Sequence, residues 1–158
     1  MIGSPERPPV IGVVSDTHGL LRPEVVEMLK GVSLILHAGD IGTAEVLARL
    51  QRIAPVFAVR GNNDKGRWAA RIPESQVVAA GAVRVYVLHN LKEMAIGPSA
   101  EKVHAVVSGH SHKPSIDWRD GVLFLNPGSA GPRRFKLPVS LARMFVQGTA
   151  IRAELIEL

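Results

Sequence analysis

The stretch VIGVVSDTHG, residues 10–19, decides how this chain is read. Five residues rich in β-branched and apolar side chains run directly into the polar tip Ser15-Asp16-Thr17-His18. A short apolar run closed by turn residues reads as a buried strand, here roughly 10–15, carrying its polar groups at the carboxyl end. The pattern recurs in VSLILHAGD (32–40), which ends on Asp40, and in PVFAVRGNND (55–64), which carries Asn62. Between these runs lie two helical segments. The first is PEVVEMLK from Pro23, opened by a proline suited to a first turn and closed at Gly31. The second is AEVLARLQ, capped by Thr43, with Val46, Leu47 and Leu50 on one face. Strand, helix, strand, helix, strand implies parallel strands and right-handed crossovers.

Outward from that start the chain changes character. VRVYVLHN (83–90) reads as a strand ending on His89, followed by a short helix over 99–104. AVVSGHSH (105–112) is a strand tipped by His110 and His112. PSIDWRDGVLFLNPGS (114–129) reads as a hairpin turning at Asp120-Gly121. The closing segment from Val139 reads as two strands separated by Gly148. A parallel half followed by antiparallel, strand-rich segments predicts an α/β fold of two packed sheets with helices outside. No linker, repeat or low-complexity tract divides the 158 residues, so 1–158 reads as a single domain. Residues 1–9, with Pro5, Pro8 and Pro9, read as a flexible lead-in.

Composition narrows the function classes. The chain has no cysteine, which removes disulfides, thiolate metal sites and cysteine nucleophiles. No apolar run reaches the roughly 18 residues of a membrane span, and the N-terminal residues do not resemble a signal peptide. The expectation is a cytoplasmic enzyme with no membrane partner. Nineteen Lys and Arg against 14 Asp and Glu give a formal charge of +5, which suits anionic partners but equally serves solubility. With 4% aromatic residues there are few platforms for stacking bases, so nucleic acid is not the favoured partner.

The polar tips form a coherent donor set. Asp16, His18, Asp40, Asn62, His89, His110 and His112 all follow apolar strands. In open α/β sheets the carboxyl ends of strands build the ligand site. Carboxylate, imidazole and amide oxygen suit Mn²⁺, Ni²⁺, Fe, Zn²⁺ or Mg²⁺. Seven donors exceed the usual four of one structural metal and fit two metals sharing a carboxylate. If the tips are extended, the Asp-x-His and His-x-His spacings turn both side chains the same way. Taken singly, each piece is ordinary: Asp-x-His is usually a turn, and Gly61-Asn62-Asn63-Asp64 and Asn126-Pro127-Gly128-Ser129 are turn sequences. Their order, each after a strand, is what carries the signal.

SDTHG, HAGD, RGNND, LHN, SGHSHKP and NPGS resemble the successive motifs of the calcineurin-like metallophosphoesterases, in particular their small bacterial and archaeal phosphodiesterases. The resemblance runs from Val10 to Ser129. It implies a four-layer α-β-β-α sandwich of two mixed sheets flanked by helices. It implies one metal on Asp16, His18, Asp40 and His112 and a second on Asp40, Asn62, His89 and His110, with Asp40 bridging and Mn²⁺ the expected ion. It implies a dinuclear centre activating water for attack on the phosphorus of a small phosphate ester, most simply a diester, with backbone near Gly128 and Ser129 adding hydrogen bonds. Two departures stand out. Asn63 occupies the position of a histidine that assists the leaving group, and Leu88-His89-Asn90 replaces a Thr-His-Gly pattern.

Other residues divide between roles. His37 reads as core or as a support for ligands and His104 as a solvated residue; Arg67 and Trp68 are candidates to border the substrate, with an interface or partial-core role the alternative for Trp68. Asp64 reads as an orienting group or a turn cap. Arg133 and Arg134 read as a solvated loop, with Arg133 the weaker candidate for a substrate phosphate. The C-terminal strands offer an edge suited to a homodimer. Two alternatives remain open. One is a protein-binding scaffold, since the superfamily includes a retromer coat subunit with that role. The other is a nucleotide pyrophosphatase or nuclease.

Overall fold

Strand β1, Val10–Val14, is buried along most of its length, because it lies inside its sheet between β2 and β9 and packed layers cover both its faces. It belongs to a computed structural model that describes residues 8–94 and 102–158. Helix α1 (Pro23–Met28) begins at the expected proline and buries Val25. It ends before Gly31, which sits in a left-handed turn (φ 85°) on the way into β2 (Leu34–His37). Helix α2 (Ala44–Gln51) buries Val46 and Leu50. Thr43 occupies the cap position with extended backbone, yet its side chain makes no capping hydrogen bond. Strand β3 (Val56–Ala58) and a single turn, α3 (Arg67–Ala70), complete this half.

β4 (Ser75–Ala80) and β5 (Val83–Leu88) form a hairpin, followed by a 3₁₀ turn at Leu91–Glu93. β6 (Ala105–Val107) precedes the hairpin of β7 (Ser115–Arg119) and β8 (Val122–Asn126). That hairpin turns at Asp120 and Gly121, both at positive φ, as its Asp-Gly pair predicts. β9 (Ser140–Gln147) and β10 (Ala150–Glu157) close the chain on either side of Gly148.

Two five-stranded mixed sheets result, in the orders β10-β9-β1-β2-β3 and β4-β5-β6-β8-β7. β1, β2 and β3 are mutually parallel in the first sheet. β5, β6 and β8 are parallel in the second. The second half is therefore less antiparallel than its sequence suggests. Antiparallel pairing is found in the hairpins β4–β5, β7–β8 and β9–β10 and where β9 returns to lie against β1. Local sequence shows hairpins readily, whereas the pairing of β5, β6 and β8 is decided by contacts distant along the chain. Helix over 99–104 falls partly on residues outside those described; Lys102–His104 form a turn into β6. The lead-in 1–9 also lies mostly outside them, although the Pro9 carbonyl accepts a hydrogen bond from Val146 N at 3.0 Å.

The main core lies between the sheets, where Ile11, Val13 and Leu36 meet Val85, Val107, Leu123 and Leu125. A second core lies between the first sheet and its helices, joining Val14 and Ile35 to Val25, Leu29 and Leu50. A third, smaller cluster backs the second sheet around Tyr86, Leu88 and Val106. Among the described residues no helix is long and apolar enough to cross a membrane. Leu125 is 1% exposed within the intersheet layer. Leu125→Ala should lower unfolding free energy by about 2–5 kcal/mol, through lost transfer energy and a residual cavity. Urea unfolding measures it, and a change under about 1 kcal/mol would mean that this layer closes up easily.

Candidate metal centre

Three parallel strands in each sheet point their carboxyl ends at one edge of the sandwich. Asp16, Asp40 and Asn62 follow β1, β2 and β3; His89, His110 and Asn126 follow or end β5, β6 and β8. The tips are not extended there. Asp16, His18, Asp40, His110 and His112 all have positive φ, between 45° and 72°. Tight left-handed turns, rather than pleat alternation, therefore aim the Asp-x-His and His-x-His pairs. A non-glycine residue there costs of order 1 kcal/mol or more, and such strain gathers where a site demands a particular geometry. Neighbouring glycines admit these turns by close approach. A Cβ on Gly61 would lie 2.2 Å from Asp40 N, and one on Gly109 would lie 2.0 Å from Ser15 Oγ.

The two carboxylates share one set of imidazoles. Asp16 Oδ1 lies 3.4 Å from His112 Nε2, 3.7 Å from His18 Nε2 and 4.0 Å from His89 Nε2. Asp40 Oδ2 lies 3.3 Å from His89 Nε2 and 3.8 Å from His18 Nε2. Two groups thus have donor atoms close enough for a common cation: Asp16, His18 and His112, and Asp16, Asp40 and His89. The rings of His89 and His110 meet edge to face with centroids 5.2 Å apart. Asn62 and His110 stand at the rim with His89, lining a cleft of about 510 Å³.

Hydrogen bonds fix each carboxylate from behind. Ser15 Oγ and His110 N donate to Asp16 Oδ2, at 2.8 and 3.1 Å. Asn63 donates twice to Asp40, from its backbone N to Oδ1 at 2.9 Å and from Nδ2 to Oδ2 at 3.0 Å. Burial raises the proton affinity of both carboxyls. For Asp16, the close imidazole of His112, the hydrogen bond from Ser15 and the charges of His89 and His112 outweigh that effect and lower its pKa. For Asp40, the close imidazole of His89 and the hydrogen bonds from Asn63 hold it well below the ordinary carboxylate range. Burial depresses His89, but Asp40, the Ala38 carbonyl and Asp16 together raise it above the usual imidazole value.

The residues present fit divalent cations. Asp16 Oδ1 and His89 Nε2 are buried with no hydrogen-bond partner, in the middle of the donor set. His89 Nδ1–H donates to Ala38 O at 2.7 Å, so in the neutral ring Nε2 is the lone-pair nitrogen that faces the carboxylates and could ligate a cation. Oxygen and imidazole donors without thiolate match Mn²⁺ and its neighbours.

Several supporting residues were only half legible in the sequence. Asp64 accepts from Ile41 N, Gly42 N and Gly61 N at 3.1, 3.0 and 2.9 Å, so it ties the β2 tip to the β3 tip rather than merely capping a turn. His37 is fully buried. Its Nδ1 accepts from Gly39 N at 3.1 Å, so Nε2–H donates to Thr17 Oγ1 at 2.9 Å, and Thr17 donates in turn to Ile41 O at 2.8 Å. That chain joins the loops carrying Asp16, His18 and Asp40. Asn126 donates to Gly109 O and Ser111 Oγ and accepts from Gly128 N, clasping the GHSH loop.

Gly128 and Ser129 do not line the cleft. Ser129 Oγ donates to Asp16 O at 3.0 Å, and Gly128 packs against Ser140 and Pro114, so both act behind Asp16. Arg133 and Arg134 are exposed in the following loop, away from the cleft walls. His104 Nδ1 accepts from Arg84 N at 3.0 Å, and Trp68 packs on the helix-side core with Arg67 exposed beside it.

With that geometry in view, comparison with known proteins is direct. The sequence profile of the calcineurin-like phosphoesterase superfamily domain matches residues 10–149. A protein named "probable metallophosphoesterase" from Methanothermobacter thermautotrophicus is 33% identical over 162 residues, covering 93% of this chain and 91% of its own. A phosphodiesterase of Methanocaldococcus jannaschii is 29% identical over 139 residues, covering 75% of this chain and 82% of its own. Among solved structures, vacuolar protein sorting 29 from Cryptosporidium parvum superposes with a TM-score of 0.80 at 20% identity, covering 97% of this chain and 99% of that one. The last likeness concerns the fold.

His37 supplies a pH test. Burial lowers its pKa from 6.5 to about 4. The unfolded chain then binds the proton first, so stability present above pH 6.5 drains away as pH falls towards 4. Relative to His37→Gln, metal-free wild-type protein should lose about 3 kcal/mol across that window. Urea unfolding of both proteins at pH 7.0 and near 4 reads the difference; parallel pH profiles would mean that His37 is protonated in the fold.

Proposed function

Given that the chain belongs to the calcineurin-like phosphoesterase superfamily, we propose that it is a phosphodiesterase dependent on two divalent cations, with Mn²⁺ the preferred ion. The observation that carries this reading is the pair of carboxylates, Asp16 and Asp40, set within 3.3–4.0 Å of the imidazoles of His18, His89 and His112. In this reading Asp16, His18, Asp40 and His112 hold one cation, and Asp40, Asn62, His89 and His110 hold the other. Two cations so held supply Lewis acidity that lowers the pKa of water and neutralises charge on phosphoryl oxygens.

The chain's own residues do the rest. Asn63 holds both oxygens of Asp40 at 2.9 and 3.0 Å, which fixes the shared carboxylate before substrate arrives. The Ala38 carbonyl sets the tautomer of His89. An amide at position 63 transfers no proton near neutral pH, so the leaving alcohol departs without help from that position. This favours diesters with stable leaving groups over monoesters of simple alcohols. The phosphodiesterase relative from Methanocaldococcus jannaschii supports the same preference.

The test is hydrolysis of bis-p-nitrophenyl phosphate and p-nitrophenyl phosphate by chelator-stripped protein, with Mn²⁺, Ni²⁺, Mg²⁺ and Zn²⁺ restored one at a time. Metal-stimulated cleavage of the diester should exceed that of the monoester. Asp40→Ala should lower it by at least about a hundredfold, because it removes the carboxylate common to both cations. No hydrolysis with any metal, from protein shown to be folded, would overturn the enzyme reading in favour of a protein-binding role on the same fold.

A further inference from the structure

The cleft beside the rim residues extends well past the space a phosphoryl group needs. Its volume of about 510 Å³ lies within the range of small-molecule sites. Asn62, His89 and His110 line its end at the metal centre, and Tyr86 and Leu88 are among its apolar walls. Three charged residues complete the lining: Arg60, Glu74 and Glu93. Arg60 Nη2 is held by Glu74 Oε1 at 3.0 Å. Glu93, in the 3₁₀ turn after β5, forms no ion pair among the described residues. Outside the candidate ligands the cleft therefore carries one net negative charge, on a chain whose formal charge is +5.

We propose that the cleft receives one alcohol arm of the phosphodiester and selects it by charge: an uncharged or ammonium-bearing arm is accepted, and an anionic arm is rejected by Glu93. The proposal rests on the phosphodiesterase reading above and gives it a substrate class. The single charge of a diester would be met by the cations, whereas a second anionic group in the cleft faces the carboxylate of Glu93, exposed on the cleft wall and without an ion pair among the described residues. Polyphosphates and diesters with a phosphorylated arm are disfavoured on the same ground. At separations of several ångströms near a protein surface, one unit charge is worth roughly a three- to tenfold change in affinity.

Symmetric diesters test this whichever arm enters the cleft. Inhibition of bis-p-nitrophenyl phosphate cleavage is measured with bis(2-aminoethyl), bis(2-hydroxyethyl) and bis(2-sulfoethyl) phosphate, at fixed low ionic strength with Mn²⁺. In wild-type protein the inhibition constants should rise in that order, each step by roughly three- to tenfold. Glu93→Lys should reverse the order. Glu74→Gln, which releases Arg60 into the cleft, should compress it. An order and spacing identical in wild type and both variants would overturn the proposal while leaving the diesterase intact. Failure of wild-type protein to cleave bis-p-nitrophenyl phosphate at all is a separate result, and it overturns the underlying function together with the cleft assignment.

Discussion

Two buried carboxylates within reach of the same imidazoles are the constraint from which the rest of this structure follows. Asp16 is fully buried and Asp40 is 3% exposed. Placing two like charges together out of water is costly, and it persists only where hydrogen bonds and positive charge compensate. The protein supplies the hydrogen bonds through Ser15, His110 N and both donors of Asn63. Imidazoles supply part of the charge. The unpartnered Asp16 Oδ1 and His89 Nε2 mark where that compensation is incomplete. A cation at those atoms would complete it, and its binding would then be coupled to stability.

The architecture serves that arrangement. Each sheet has a parallel trio of strands, and only parallel strands deliver several carboxyl ends to one edge. The tips then bend through left-handed residues, with Gly61 and Gly109 allowing backbone to lie against Asp40 and Ser15. Asp64, the His37–Thr17 pair and Asn126 bind neighbouring tips to each other with side-chain hydrogen bonds. Those three sets of contacts join loops from different strands, so the centre is assembled as a unit rather than residue by residue.

Much of this was legible before the fold was known, for a physical reason. Apolar runs ending on Asp16, Asp40 and Asn62 show both the strand and its functional end, because burial and polarity change sharply at one residue. The β-α-β-α-β order follows from the same local signals. What was hidden depends on distant contacts. The parallel pairing of β5, β6 and β8 leaves no local mark. The strand Ser75–Ala80 escaped notice because its alternation is weak and its residues are only partly buried. Asn63 invited attention as a missing histidine, which concealed what its amide does for Asp40. The turn sequence around Ser129 does not show that its hydroxyl donates to the Asp16 carbonyl, a contact between loops far apart in the chain. Aiming of the Asp-x-His pair by left-handed turns is only faintly marked in sequence: Asp and His are enriched at positive φ, but most of them still lie elsewhere.

The central claim is that one carboxylate is shared between two cations, and electron paramagnetic resonance of Mn²⁺-loaded protein addresses it most directly. Metal-stripped protein titrated with Mn²⁺ should take up two equivalents per chain and develop the spectrum of an exchange-coupled pair. A spectrum of isolated Mn²⁺ at every loading, or saturation at a single equivalent, would contradict a shared carboxylate and leave Asp16 and Asp40 serving one ion.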